Sequence, residues 1–301
     1  MPRVYPDSHP LTKLAVLTVW PLGTPSLFFR IVLSTQSFPG HAKSCSMMPD
    51  LLNFPVVVFL ISLLLLWFAA WAGSRIRARS RKDLPEDLRQ DFGVLLAASL
   101  TLLGLIIGFS FSMATGRYDQ RKNLEEEEAN AIGTEYLRAD LLPPSDATQI
   151  RTLLRQYTDL RLQFYRTRWR SKLKPINDQT SVLQDKLWAA VSGPASAQPT
   201  PVRALAVSGM NDVINSQGYT QAAWWNRIPR AAWGLMAFIA IFCNLLFGYG
   251  AHRKDSRVFI VLPIVVGISF LLIADIDSPR GGLIHVRPLN LESLSDSLNS
   301  H

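Results

Sequence analysis

Four apolar stretches without a charged residue divide the chain, and the charged residues crowd into the segments between them. These stretches span residues 51–74, 92–116, 231–251 and 258–274. A helix rises about 1.5 Å per residue, so about twenty apolar residues cross the hydrocarbon core of a membrane. We therefore predict four transmembrane helices, of which the fourth is the shortest and contains Pro263.

Short polar turns at residues 75–91 and 252–257 join these helices in pairs. The spacing predicts two antiparallel hairpins, one within residues 48–116 and one within residues 229–277. Residues 117–228 lie between the hairpins, and residues 278–301 form a polar tail. No segment alternates in the manner of a strand. The predicted fold class is therefore all-α: a four-helix transmembrane protein with a helical, water-facing segment between helices 2 and 3.

The water-facing segment begins, over residues 117–142, as a direct continuation of the second membrane helix. Arg121 with Glu125 and Lys122 with Glu126 are spaced as ion pairs on such a helix. Pro143 and Pro144 end it, and Ser145 is a candidate N-cap for the next helix. Further helices are predicted over residues 182–191 and 202–215, and the Gly- and Pro-containing stretch 192–201 between them reads as an exposed loop.

The helix that follows Ser145 separates apolar from basic residues at a helical period. Its apolar face consists of Ile150, Leu153, Leu154, Tyr157, Leu160 and Phe164, and its basic face of Arg151, Arg155, Arg161, Arg166, Arg168 and Arg170. We expect the basic face to be solvated. Two alternatives are contact with anionic lipid and the lining of a vestibule that concentrates anions.

Residues 1–47 are irregular and contain six prolines, at positions 2, 6, 10, 21, 25 and 39. Their apolar part is too broken for a secretory signal peptide. Met47 and Met48 directly precede the first membrane stretch. Two hypotheses follow: translation begins at one of these methionines, or residues 1–47 are a disordered native tail.

The composition narrows the function classes. Charged residues make up 18% of the chain, below the roughly 25% of soluble domains. The net charge of +8 fits anionic lipid headgroups better than nucleic acid, so we expect the lipid bilayer as a partner and no nucleic acid. Cys45 and Cys243 and the five scattered histidines form no metal-ligand pattern, and no phosphate-loop, dinucleotide, nucleophile-elbow or zinc-protease motif is present. We expect neither an enzyme nor a bound cofactor.

Small residues recur every three or four positions along the second membrane helix, so they share one face. They are Ala97, Thr101, Gly104, Gly108, Ser112 and Thr115, with Phe109 beside them. Small residues let helix backbones approach closely in lipid. The stripe therefore indicates either packing within the four-helix unit or a face that meets neighbouring subunits or lines a pore, where aromatic rings can act as a gate.

Two groups of acidic residues stand out. The run 125–128 consists of four glutamates, which predicts a solvated helix face or, in an assembly around an axis, a ring that attracts cations. Asp275 and Asp277 end the fourth membrane stretch. They are interpreted as helix-capping residues at the membrane boundary, and only weakly as ligands of a hard cation such as calcium, because two carboxylates are too few.

Several motifs resemble the bestrophin-like domain family of bacterial membrane proteins. They are Gly108-Phe-Ser-Phe-Ser-Met113, Arg117-Tyr-Asp-Gln-Arg121, Glu127-Glu-Ala-Asn-Ala-Ile-Gly-Thr134, Tyr136-Leu-Arg-Ala-Asp140 and Ala274-Asp-Ile-Asp-Ser-Pro-Arg-Gly-Gly282. The resemblance covers roughly residues 50–285. It implies a distant likeness to bestrophins, which are pentameric anion channels with the second membrane helix at a narrow neck. The neck would then fall near Gly104, Gly108, Phe109, Ser112 and Thr115.

The resemblance and the charge pattern favour different orientations. The turns 75–91 and 252–257 hold six and three Lys or Arg residues, which places both turns inside the cell and residues 117–228 outside. A bestrophin-like arrangement would place residues 117–228 in the cytoplasm. In either case we expect a multi-pass protein of the bacterial inner membrane. Its role is predicted to be a non-conducting scaffold or sensor or, alternatively, a homo-oligomeric anion channel with the second helix lining the pore.

Overall fold

A computed structural model describes residues 53–79, 86–250 and 260–300, so the leader 1–47 and most of the two polar turns lie outside the described residues. The described ranges contain eight α-helices, one short 3-10 turn at Ala139–Leu141, and no strand. The helices are α1 (Pro55–Arg79), α2 (Glu86–Arg138), α3 (Pro144–Arg166), α4 (Arg170–Ala197), α5 (Pro201–Trp225), α6 (Arg230–Gly250), α7 (Val261–Asp277) and α8 (Leu289–Asn299). The all-α fold class is confirmed.

Three helical stretches in the described part of the chain are long and apolar enough to cross a membrane: Pro55–Arg79, Gln90–Leu141 and Pro201–Gly250. The last combines α5 and α6, and its apolar portion belongs to α6. The fourth predicted span corresponds to α7, whose 17 residues stand at the lower limit for a membrane crossing.

Most contacts between the membrane helices run across the two predicted hairpins. Within the described residues, α1 packs mainly against α6 and α7, and α2 packs against the same two helices from another side. Helices α1 and α6 run in the same direction, since Arg227 near the start of α6 donates to Asn53 near the start of α1, at 2.7 Å. Farther along, Gly248 contacts Ala70.

Two glycines set the distance between α1 and α6. A Cβ atom at Gly248 would lie 1.9 Å from the backbone carbonyl oxygen of Ala70, and one at Gly73 would lie 2.0 Å from that of Leu245. Backbone atoms cannot rotate away as a side chain can. Both positions therefore require glycine, and they provide the close helix approach on which association in lipid depends.

Helix α2 joins two parts of the protein. The membrane part consists of α1, α6, α7 and α2 up to Gly116, and the second part is a water-facing core. The 53 residues of α2 span about 80 Å, far more than the roughly 30 Å of the hydrocarbon layer. Beyond Gly116 the helix packs mainly against α5, and also against α3 and α8, and α4 packs in turn on α3 and α5. The centre of this core is formed by Ile132, Ile150, Leu154, Tyr157, Leu187, Met210, Val213 and Leu291. The predicted apolar face of the helix after Ser145 thus contributes buried residues to it.

The helix boundaries differ from the prediction around three prolines. Pro144 is the first residue of α3 and Pro143 its N-cap, so Ser145 lies inside the helix and is not the cap. Proline suits the first turn because its missing N–H would be unpaired there in any case. Helix α4 continues through the predicted loop 192–201 as far as Ala197. Pro194 is tolerated in its last turn, where the Pro194 carbonyl accepts the backbone N–H of Gln198 and Nη1 of Arg203.

Candidate functional site

The predicted stripe of small residues on α2 is uncovered in the described chain. Thr101, Gly104, Gly108 and Ser112 are exposed, and a Cβ atom at either glycine would have no neighbouring atom within 4 Å. Thr115 is half-buried. Packing within one chain, the first interpretation of the stripe, is therefore wrong for Gly104 and Gly108.

The two threonine hydroxyls of the stripe are satisfied within the helix, which suits an apolar or narrow environment. The Thr101 hydroxyl donates to the Ala97 carbonyl at 2.9 Å, and the Thr115 hydroxyl donates to the Phe111 carbonyl at 3.0 Å. Phe109, 62% exposed, stands beside Gly108. We call the exposed side of α2 from Thr101 to Glu126 the outer face.

The outer face becomes charged where α2 leaves the membrane part. Continuing at helical spacing from Gly108 and Ser112, it presents the exposed side chains of Asp119, Lys122 and Glu126. Glu126 lies about 27 Å from Gly108 along the helix axis. One side of a single helix therefore combines a small, apolar section with a charged section.

The opposite side of α2, which we call the inner face, is buried and strongly polar. Arg121, 1% exposed, donates to four backbone carbonyls at the ends of two other helices. Its partners are Ala223 and Asn226 at the end of α5, at 3.3 and 3.2 Å, and Ile276 and Asp277 at the end of α7, at 3.5 and 3.2 Å. Helix ends leave unpaired carbonyls with partial negative charge, which a guanidinium satisfies. Arg121 therefore ties the water-facing core to the membrane part.

Glu128 and Arg161 form a buried ion pair between α2 and α3. Both side chains are fully buried, and Arg161 Nε donates to the Glu128 carboxylate. The other carboxylate oxygen accepts the Tyr165 hydroxyl at 3.1 Å and the Thr220 hydroxyl at 3.2 Å. Burial, the largest single influence, lowers the pKa of Arg161, but Glu128, Tyr157 and Tyr165 together outweigh it, and the pKa is raised. The expectation that Arg161 belongs to a solvated basic face is wrong.

The glutamate run divides between the two faces of α2. Glu126 and Glu127 are exposed, whereas Glu125 and Glu128 are buried. The Glu125 carboxylate accepts the Leu291 backbone N–H at 2.9 Å and the Asn290 side-chain amide at 2.7 Å, at the start of α8. Glu125 therefore caps α8, a helix within the segment 278–301 that was predicted to be a polar tail. It does not form the predicted ion pair with Arg121. The prediction of a solvated glutamate run is therefore wrong for Glu125 and Glu128, because α3, α5 and α8 cover the inner face.

Glu135 is a buried carboxyl group without a hydrogen-bond partner in the part of the chain that the structure describes. Its side chain is 0% exposed, and both of its oxygens are unpaired. Gly209 of α5 lies directly opposite, since a Cβ atom there would be 2.0 Å from Glu135 Oε2. Glu135 is about 29 Å along α2 from Gly116, outside the membrane-spanning part. Burial raises its pKa to about 8, with Arg138 lowering and Asp212 raising it to a smaller extent.

Asp275 and Asp277 accept backbone N–H groups that shape the turn after α7. Asp275 accepts from Leu283 and Ile284, each at 2.8 Å, and Asp277 accepts from Ile228 at 3.1 Å. Asp277 also pairs with Arg227 at 3.3 Å. In this geometry they fix the turn after α7, and neither caps α7 itself, as their interpretation as helix-capping residues had assumed. Among the described residues, no group of three or more ligand-type side chains could hold a metal ion.

The rest of this turn is held by close backbone contact and by Arg280. A Cβ atom at Gly281 would lie 1.8 Å from the Asn53 carbonyl oxygen, and one at Gly282 would lie 2.6 Å from Asp275 Oδ1. Arg280 donates to the carbonyls of Phe164 and Thr167, at 2.8 and 2.6 Å. Like Arg121, Arg280 donates to carbonyl groups at the end of a helix, in this case α3.

Sequence reasoning did not single out Arg121, Glu128, Glu135, Arg161 and Arg280 as buried. A signal was present for three of them. Arg121, Glu125, Glu128, Ile132 and Glu135 follow one another at intervals of four, three, four and three residues, which is the period of one helix face. Several of these residues also lie in the motifs that carry the family resemblance.

Comparisons with known proteins agree with this architecture. A family model described as the bestrophin-like domain matches residues 59–291. A solved bacterial bestrophin homologue from Klebsiella pneumoniae has a TM-score of 0.54 and 14% identity, over 81% of this chain and 95% of that one. A variant of that homologue has a TM-score of 0.57 and 12% identity, over 81% and 97%. A structure described as a membrane protein has a TM-score of 0.57 and 11% identity, over 81% and 97%. No curated protein matches the chain.

Proposed function

The chain belongs to the bestrophin-like domain family, and on this premise we propose that it is a homo-oligomeric ion channel of the bacterial inner membrane. In this proposal several copies surround an axis, and the outer face of each α2 lines the pore. The observation that carries it is the uncovered outer face. Of the 18 most apolar consecutive residues in the α2 stretch, only 6% are buried within the chain, compared with 28% for those of α1.

The chemistry of the outer face supports a conducting role. Gly104, Gly108 and Ser112 leave room at an axis for hydrated ions, and the exposed Phe109 provides an apolar ring where water can be excluded. The charged section that follows would face the water-filled mouth of the pore. Helix α2 alone therefore supplies a narrow section and a charged vestibule.

Whether the channel prefers anions or cations is a separate question from whether it conducts ions. The resemblance implies anions, but the outer face does not support an anion preference. Asp119 and Glu126 oppose Lys122, which leaves one net negative charge per chain on this section. A carboxylate ring of this kind attracts cations. The reversal potential of the reconstituted protein across a KCl gradient measures the sign directly.

Ion flux from liposomes tests the channel. We expect the purified protein to conduct, and we expect Gly108→Leu to lower the flux at least about tenfold, because one leucine side chain from every copy would meet at the axis. The melting temperature should not fall, since a Cβ atom at Gly108 has open space. Gly218→Leu is the matched control: Gly218 also has open space but lies on α5 in the water-facing core, so its flux should be retained.

Three results would count against this proposal. A wild-type protein that releases no ions would favour the alternative of a non-conducting scaffold or sensor. A monomeric mass in detergent would exclude a central pore built from single α2 helices. If Gly108→Leu conducted as well as the wild type, α2 would not line the pathway.

A further inference from the structure

An apolar groove opens on the membrane part, away from α2. Its volume is about 280 Å³, and it lies between α1, α6 and α7. Side chains of Val58, Ile61, Leu65 and Leu66 from α1 form one wall, and Ala237 and Phe270 lie opposite. Gly234 also lines the groove, and a Cβ atom there would meet no atom within 4 Å. The absence of a side chain at Gly234 therefore keeps the groove open.

Polar groups gather at one end of this groove. Arg230, the first residue of α6, lines it and is exposed. The indole N–H of Trp233, one turn farther along, is buried and has no acceptor among the described residues. A donor without an acceptor in an apolar setting is costly, so the site favours a ligand that brings an acceptor.

Helices α1 and α6 both begin near this end of the groove. Arg227 and Asn53, which contact each other at 2.7 Å, mark the start of α6 and of α1. Trp225, 73% exposed, ends α5 just before them, and tryptophan is enriched where membrane meets water. A cation and an unpaired donor thus line the groove near the start of α6, where an apolar helix is expected to meet lipid headgroups.

We propose that the groove binds one phospholipid with an anionic headgroup. One acyl chain lies between α1 and α6, and the phosphate accepts hydrogen bonds from Trp233 and Arg230. The acyl chain alone gives little preference, because bulk lipid is as apolar as the groove. Selection therefore comes from the headgroup, through the charge of Arg230, and this inference does not depend on ion conduction.

Native mass spectrometry of the purified oligomer or monomer tests the proposal with two lipids that share the same acyl chains. We expect phosphatidylglycerol to be retained about fivefold more than phosphatidylcholine, which corresponds to about 1 kcal/mol for one surface cation. Arg230→Gln should abolish the preference, and Arg230→Lys should restore it. Arg79→Gln is the matched control, because Arg79 is an exposed cation at the other end of α1.

Two further variants separate the headgroup from the chain. Trp233→Phe keeps the ring but removes the donor, so retention of both lipids should fall about threefold, as for one hydrogen bond. Gly234→Leu fills the groove and should displace both lipids. Equal retention of the two lipids by the wild type, or an unchanged preference in Arg230→Gln, would overturn the proposal. So would a Gly234→Leu variant that alters the oligomer mass and leaves lipid retention unchanged, since the groove would then be a contact between copies.

Discussion

The inner and outer faces of α2 are made by the same 53 residues, yet they differ in the partners they find. On the inner face, Arg121, Glu125 and Glu128 reach carbonyls, N–H groups and an arginine of four other helices. On the outer face, Gly104 and Gly108 meet nothing within 4 Å. Contacts within the described part of one chain therefore cover only the inner face of α2. The outer face is left for other copies and for ions, as the proposed channel requires.

The glycines show the same contrast. Gly73 and Gly248 allow the backbones of α1 and α6 to touch, whereas Gly104 and Gly108, with the favourable GxxxG spacing, have open space. A motif for close helix approach thus does not reveal which helix approaches. The difference teaches that glycine spacing predicts a contact face, and that only the fold shows whether the contact lies within one chain.

Removing one member of the buried ion pair should have the largest effect on folding. Arg161→Met leaves Glu128 buried without its guanidinium, and loss of one partner of a buried pair costs about 3–5 kcal/mol. We expect the free energy of unfolding in detergent to fall by that amount. Arg166→Met on the same helix is the control. Its pair with Glu292 is largely exposed, so it should cost less than about 1 kcal/mol.

The double variant Glu128→Met with Arg161→Met sharpens this prediction. It removes both charges together and should recover part of the lost stability. If Arg161→Met were no more destabilising than Arg166→Met, the inner face would not be the buried, polar interface described above.

Gly209→Ala should have an intermediate effect. The added methyl group would lie 2.0 Å from Glu135 Oε2 and 2.4 Å from Arg138 Nη1. Both atoms are ends of flexible side chains, so they can move, and we expect a loss of about 1–3 kcal/mol in thermal or denaturant unfolding. Gly218→Ala on the same helix has open space and should be neutral or slightly stabilising. Equal effects at the two glycines would contradict close contact between α5 and the inner face of α2.

Glu135→Gln should have the smallest effect at low pH, where the protonated carboxyl group resembles the amide, and it should become stabilising as the pH rises. In the folded protein the pKa of Glu135 is raised from 4.5 to about 8, so the folded state keeps a proton that the unfolded chain has lost. Stability contributed by this group is therefore present below about pH 4.5 and decreases as the pH rises toward 8. The variant should lose that part of the pH dependence.

The measurement is the apparent melting temperature of both proteins from pH 5 to pH 8.5. We expect the wild type to fall relative to Glu135→Gln as the pH rises. Parallel curves would show that Glu135 is paired or hydrated, and that this part of the inner face is less tightly closed than the structure indicates.

The sequence predicted the parts of the fold that depend on composition. A membrane tolerates backbone only in helical form, so charge-free stretches of sufficient length indicated α1, α2 and α6. The continuation of α2 beyond Gly116 also followed from its local pattern. Helix α8 did not, because its 11 residues contain few apolar side chains and it depends on capping by Glu125. The burial of Arg161 was missed because arginine on a helix is ordinarily solvated.

The candidate site could be located from the sequence but not interpreted. The spacing of Gly104, Gly108 and Ser112 predicted a shared face, and two readings of it stayed open because a single sequence does not show which neighbours a face has. The same limit applies to Glu125 and Glu128, which differ from Glu126 and Glu127 only through the helices that cover them. The pairing of α1 with α6 depends on contacts between residues far apart in the chain.

Cross-linking of two neighbouring serines on α2 tests the central claim most directly. Ser112 lies on the outer face, whereas Ser110 is 1% exposed on the inner face. Each is replaced by cysteine in a chain whose Cys45 and Cys243 are serine, and membranes are treated with a mild oxidant. Outer faces that meet around an axis predict covalent dimers for Ser112→Cys and none for Ser110→Cys. If Ser112→Cys stays monomeric under conditions that keep the protein folded, the outer faces do not meet.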